Sequence, residues 1–127
     1  MFHHVQLACP AGSEEDLRAY YGGVLGMREK PKPALLAVRG GCWFTDSYGS
    51  ELHLGVESDF RPARKAHPCL VRPDLDDLAA RVDAAGYDIV WADPEETPGI
   101  RRFHTHDCLG NRIEFMAEDA TGQAGGK

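Results

Sequence analysis

The stretch His4-Val5-Gln6-Leu7-Ala8-Cys9-Pro10 decides the fold of this chain, because it recurs as His67-Pro68-Cys69-Leu70-Val71-Arg72-Pro73. Both stretches follow the pattern H-x-x-L-x-x-P, and apolar residues at helical spacing come after each proline. These apolar residues are Leu17, Tyr20, Tyr21 and Val24 in the first copy, and Leu75, Leu78, Ala79, Val82 and Ala85 in the second. A repeat of this length indicates two copies of one supersecondary unit.

Three strand-like segments follow each predicted helix. They are residues 35–39, 42–46 and 51–56 in the first copy, and residues 88–92, 101–106 and 112–117 in the second. The pattern predicts an α+β fold of two βαβββ modules, with curved mixed sheets that form a concave metal or substrate site. We expect a single domain over residues 1–118, with modules at 1–57 and 66–118, and a flexible tail at 119–127.

Composition restricts the classes of function. The chain has 127 residues, 43% of them hydrophobic, and a formal net charge of -6. This acidic balance argues against nucleic-acid binding, which needs a basic face. No apolar run approaches the roughly 20 residues of a membrane helix, and no signal-peptide pattern opens the chain, so we expect a cytoplasmic protein. The four cysteines form no C-x-x-C pair, which argues against a structural zinc site of the finger type.

Strand alternation gathers several polar side chains on one side of the predicted sheets. Successive side chains of a strand point to opposite faces, and the apolar faces must cover the helices. His4, His53, His67 and Glu114 then line the concave side. Because an unpaired buried carboxylate is costly, three imidazoles gathered around one carboxylate indicate a metal site.

The order of these motifs resembles the vicinal oxygen chelate superfamily, which includes glyoxalases, bleomycin-resistance proteins and extradiol dioxygenases. The resemblance is carried by the first strand from His4, by Tyr-Tyr-Gly-Gly-Val-Leu-Gly at residues 20–26, and by the second-module strand from His67. The ending at residues 107–114 is similar to the family pattern D-x-x-G-N-x-x-E. Together these marks cover nearly the whole chain.

The resemblance implies a metal site in which His4, His67 and Glu114 are ligands. The fourth position stays open between two residues. Glu51 lies as far along the chain from His4 as Glu114 does from His67, whereas the ungapped match of residues 49–57 to residues 110–118 favours His53. Both residues share one strand face, so either choice points to the same site.

Two functions from different classes follow from this pattern. The first is a metal-dependent lyase, isomerase or dioxygenase that acts on a small oxygen-rich molecule, with Fe, Mn, Ni, Co or Zn as cofactor. Glu114 and Glu51 are its candidate catalytic residues, with Glu51 or His53 as ligand or general base. The second is a metal-free protein that binds a drug or another small molecule, with Trp43, Phe44, Trp91 and Phe103 as stacking surfaces.

The remaining expectations concern the assembly and the other histidines. Family sheets of this kind often complete their cavity across a dimer, so we expect a homodimer, although the two modules of one chain can also close on each other. His3 is expected to be structural or exposed. His104 and His106 share a strand face that could reach the pocket, although we expect this face to lie at a solvent-exposed edge.

Overall fold

Two four-stranded mixed sheets make up residues 1–118, the part of the chain that the structure, a computed structural model, describes. The elements of the first module are β1 (Val5–Cys9), α1 (Glu14–Leu17), a π-helical segment (Arg18–Val24), β2 (Arg28–Lys30), α2 (Ala34–Ala37), β3 (Cys42–Thr45) and β4 (Glu51–Val56). Those of the second are β5 (Cys69–Val71), α3 (Leu75–Ala84), β6 (Val90–Trp91), β7 (Ile100–His106) and β8 (Arg112–Glu118). The predicted α+β fold of two βαβββ modules is confirmed. The tail predicted at 119–127 lies outside the described residues.

The two sheets have the same topology. Their strand orders are β1-β4-β3-β2 and β5-β8-β7-β6, with the first strand of each module parallel to the last. Gln6, two residues after His4, lies opposite His53 in the ladder. Cys69, two residues after His67, lies opposite Glu114. His53 and Glu114 therefore occupy equivalent places in the two modules.

The core lies between the helices and the apolar faces of the strands. Leu17 and Leu78 belong to the predicted apolar faces of the two helices, and both are fully buried. In the π-helical segment the Leu25 N–H donates to the Tyr20 carbonyl, and this wider turn buries Tyr20 and the adjacent Tyr21. Each fully buried leucine contributes about 1.5–3 kcal/mol relative to exposure. None of the helices within residues 1–118 has the length and apolar character needed to cross a membrane.

One strand of the first module was predicted in the wrong place. Residues 35–39 do not form a strand, because Ala34–Ala37 is the short helix α2, which begins after Pro33. The edge strand is β2 at Arg28–Lys30, a polar segment without apolar alternation. A proline fits the start of a helix, where its missing N–H is not needed.

The D-x-x-G-N part of the family pattern joins the two modules. Asp107 accepts backbone N–H groups of its own turn through Oδ1, and its Oδ2 accepts the Tyr21 hydroxyl at 2.6 Å. Asn111 donates to the Ala8 carbonyl at 3.0 Å and accepts the Ala63 N–H at 2.9 Å. Both side chains are buried, so these bonds hold the first module and the linker against the second.

Candidate functional site

Two histidines and a glutamate meet on the second sheet. His67 precedes β5, His104 lies in β7, and Glu114 lies between them in β8, on the strand face opposite to the buried core residues. The Nε2 atoms of His67 and His104 lie 3.0 Å and 3.3 Å from the same oxygen, Glu114 Oε1. Within residues 1–118, this is the one group of three His, Cys, Asp or Glu residues whose possible ligand atoms all lie within 4.8 Å of one another.

The hydrogen bond on the far side of the His67 ring fixes how the ring faces the glutamate. His67 Nδ1 lies 2.8 Å from the Lys65 carbonyl, and a carbonyl only accepts, so Nδ1 carries a proton. In the neutral imidazole, Nε2 is then a bare acceptor directed at the carboxylate oxygen of Glu114. Two acceptors at this distance need a proton or a metal ion between them, and a backbone carbonyl behind the ring is the usual support of a metal-binding histidine.

The charge of Glu114 is balanced from several sides. Burial alone would raise the pKa of its carboxyl, but the neighbouring His67 ring and Arg102 guanidinium lower that pKa below its ordinary value. Arg102 donates to Oε2 at 3.1 Å, so Oε1 is left to the two imidazoles. The pKa of His104 is lowered, chiefly by burial, which favours the neutral ring that a metal ion requires.

The equivalent place in the first module holds a row of stacked groups. The His53 ring stacks on Trp43 with centroids 4.1 Å apart, and on its other side it stacks on His4 at 3.9 Å. Lys30 Nζ lies 5.9 Å from the Trp43 centroid at the end of the row. We call Lys30, Trp43, His53 and His4 the first-module ladder.

Glu51 and His53, the two candidates for the fourth position, contact each other directly. Glu51 Oε2 lies 2.7 Å from His53 Nε2, and Lys30 also donates to the Glu51 carboxylate. The hydrogen bond from His53 and the ammonium of Lys30 lower the pKa of Glu51, so the carboxylate is ionised near neutral pH. Burial lowers the pKa of His53. His53 occupies the position in β4 that Glu114 occupies in β8. Glu51 lies two residues earlier on the same strand face, and its carboxylate contacts the His53 ring.

The structure brings together two of the three predicted principal ligands. His67 and Glu114 are in contact, whereas His4 belongs to the first-module ladder and does not join their group within one chain. His4 and His67 do line one groove of about 610 Å³, together with Glu51 and the first residues of β1 and β5. The predicted residues therefore form two clusters that border a common groove.

The expectation for the other histidines was wrong at one position. His104 is only 17% exposed in its side chain and contacts Glu114, whereas His106 is half exposed and pairs with Asp88 as an edge residue. His3 is exposed, as expected, and its ring contacts His4. The signal for His104 was present in the sequence, because a turn centred on Leu109 places residues 104 and 114 opposite each other.

The comparisons with known proteins agree with this architecture. The sequence matches no protein-family model and no curated protein. Among solved structures, it is similar to a glyoxalase family protein from Bacillus anthracis, with 41% identity, a TM-score of 0.86, and coverage of 94% of this chain and 95% of that one. It also resembles the fosfomycin resistance protein FosX from Listeria monocytogenes, with 13% identity, a TM-score of 0.71 and 97% of both chains covered. A third is TnmS3, an antibiotic-binding protein from Streptomyces sp. CB03234, with 20% identity, a TM-score of 0.69, and 94% and 98% coverage. At such low identity the last two share the fold alone.

Proposed function

We propose that this chain, which belongs to the glyoxalase family of the vicinal oxygen chelate superfamily, is a divalent-metal-dependent enzyme of lyase, isomerase or dioxygenase type. Its substrate is a small oxygen-rich molecule. The observation that carries the proposal is the bare Nε2 of His67 directed at Glu114 Oε1. An ion at this place satisfies both acceptors, and His104 adds a second imidazole.

The donor set fits a first-row divalent ion. Imidazoles and a carboxylate suit Fe, Mn, Co, Ni or Zn, and a three-ligand site leaves positions open for the substrate. His67 and Glu114 would hold such an ion, which would supply Lewis-acid stabilisation of negative charge that develops on the substrate. The protein's own part is to hold Glu114 through Arg102 and to aim His67 through the Lys65 carbonyl.

His67 and Glu114 are the ligands on which the proposal rests, and the third ligand is His104 or His4. The fold already places His104 in the group. A homodimer supplies His4 if a second copy lays its first-module ladder against His67 and Glu114, and the Glu51 of that ladder's strand would then come with it as a candidate base. Exposed apolar side chains are available for an interface, and they include Phe2, which lines the groove, and Val71, Val90 and Trp91 elsewhere.

Elemental analysis of the protein purified without added metal tests the proposal. We expect about one first-row divalent ion per chain, and its loss in His67→Ala and Glu114→Ala. His106→Ala is the control, because His106 lies on β7, two residues from His104, but pairs with Asp88 at the surface. A native protein that takes up none of Mn, Fe, Co, Ni and Zn, or a His67→Ala variant with full occupancy, would falsify the metal site.

A metal-free binding protein is the second candidate. The observation in its favour is Arg102, whose guanidinium already neutralises Glu114 from the Oε2 side. A protonated His67 then satisfies Oε1 without an ion. TnmS3, which shares the fold, is an antibiotic-binding protein. This candidate predicts tight binding of a small molecule by protein that has been stripped of metal, and no turnover when metal is added.

A further inference from the structure

A second cavity lies on the first module, next to the first-module ladder. It has a volume of about 220 Å³ and is lined by Gln6, Lys32, Leu36, Arg39, Trp43 and the backbone around Gly55. Gln6 and Gly55 lie on the same strand faces as His4 and His53, so the cavity continues along the sheet from the ladder. We call it the first-module cavity.

The first-module cavity is lined by two cationic side chains and one amide beside its apolar groups. Arg39 is exposed and pairs with no carboxylate among residues 1–118, although the chain as a whole carries a net charge of -6. Lys32 donates to the Gly40 carbonyl, which leaves its other ammonium hydrogens for a ligand. The carboxylate of Glu14, a residue that does not line the cavity, accepts the Gly41 N–H at 2.7 Å.

The backbone around the cavity is fixed by close packing rather than left as a loose loop. Gly41 has a φ of +81°, and a Cβ there would lie 2.0 Å from the Leu54 carbonyl oxygen, so only glycine fits. A Cβ on Gly55 would lie 2.8 Å from the Gln6 amide nitrogen. The missing side chain at Gly55 therefore leaves room for the Gln6 amide over the sheet, and Gln6 lines the cavity.

We propose that the first-module cavity binds a small organic anion through Arg39, Lys32 and the Gln6 amide. The ligand class is an aromatic or aliphatic carboxylate of about the size of benzoate. Its negative group contacts the cations, and its apolar part contacts Leu36 and the edge of Trp43, whose two faces are taken by His53 and Lys30. Binding of this anion needs no metal and is independent of the proposed function. Only the further step of treating the anion as the substrate rests on that function.

Calorimetric titration of the metal-stripped full chain with benzoate tests the proposal, with benzamide as the neutral counterpart. We expect saturable binding of benzoate, no binding of benzamide, and weakening by salt. Arg39→Gln should raise the dissociation constant about tenfold, because it removes a hydrogen bond to a charged group. Arg64→Gln is the control, since Arg64 is an exposed linker cation outside the cavity and should leave the constant unchanged.

Four outcomes would overturn the proposal. They are no binding of benzoate, equal binding of benzamide, equal weakening by Arg39→Gln and Arg64→Gln, and binding of inorganic phosphate in preference to benzoate. The stripped protein separates this test from the metal proposal. Benzoate binding with no metal uptake would support the anion site and reject the metal-dependent enzyme. Metal uptake without benzoate binding would reject the anion site and leave the metal proposal intact.

Discussion

At the scale of single residues, His104 decides how much of the proposed metal site one chain holds. Its Nε2 lies 3.3 Å from Glu114 Oε1, and burial lowers its pKa, so the ring is neutral near neutral pH. We expect His104→Ala to weaken metal binding by about 10- to 100-fold, even if the ring only supports Glu114. His106→Ala, on the same strand face, should have no effect. Competition with a chromogenic chelator measures both constants, and equal constants for the two variants would contradict the assignment.

A second residue-scale prediction concerns the Arg72–Asp74 pair. Both guanidinium contacts are 2.9 Å, and the Arg72 side chain is only 4% exposed. Hydrogen bonding to Arg72 lowers the pKa of Asp74 below 3.8. A lowered carboxyl pKa adds stability that is complete above the unfolded value and is lost as the pH falls through the folded one.

Asp74→Asn keeps a residue that caps helices well but removes the charge. We expect the free energy of unfolding to fall by about 1–3 kcal/mol near neutral pH, because the buried guanidinium loses an ionised partner. The difference from the native protein should shrink as the pH drops below 3.8. Urea unfolding at neutral and acidic pH measures it, and a difference of the same size at both pH values would count against the pair.

At the scale of elements, the contact between the π-helical segment and the β7–β8 turn fixes the two modules to each other. Tyr21 is fully buried and donates to Asp107 at 2.6 Å, and burial raises the pKa of the phenol so that it stays protonated. Tyr21→Phe keeps the ring but leaves a buried carboxylate with one bond fewer, so we expect a loss of about 1–3 kcal/mol in urea unfolding. Tyr48→Phe at an exposed site is the control. Equal stability of the two variants would refute this role.

The elements also show what the sequence could and could not predict. The repeat and its alternation were sufficient for every strand except β2, for the buried faces of the two predicted helices and for the equivalence of His53 and Glu114. They failed for β2, because a three-residue polar edge strand carries no apolar alternation. Residues 35–39 were predicted as the strand instead, but Ala34–Ala37 is a helix. His104 was missed because its role depends on the pairing across a hairpin rather than on the pattern of its own strand.

At the scale of the whole molecule, the two modules have chemically different side chains at equivalent positions of their paired strands. The first has Trp43 opposite His53, and the second has His104 opposite Glu114. Stacking on Trp43 and His4 holds the His53 ring without a metal ion. The Glu114 carboxylate, with imidazoles on both sides, attracts a metal ion. The proposed ion and the proposed anion site therefore belong to different modules, and a single reaction site requires the two modules to face each other across a groove.

A pair of defective variants tests whether that groove is completed by a second copy. If His4 of one copy meets His67 and Glu114 of another, His4→Ala and His67→Ala should each bind little metal alone, while a mixture refolded together regains part of it. Mixed dimers contain one site with all its native residues, whereas the partner site lacks both histidines. Elemental analysis gives the recovery, and light scattering should give twice the 14.0 kDa chain mass. Mixing each variant with itself is the control. A mass of one chain at micromolar concentration would exclude completion by a second copy, and full metal occupancy in His4→Ala alone would make His104, not His4, the third ligand.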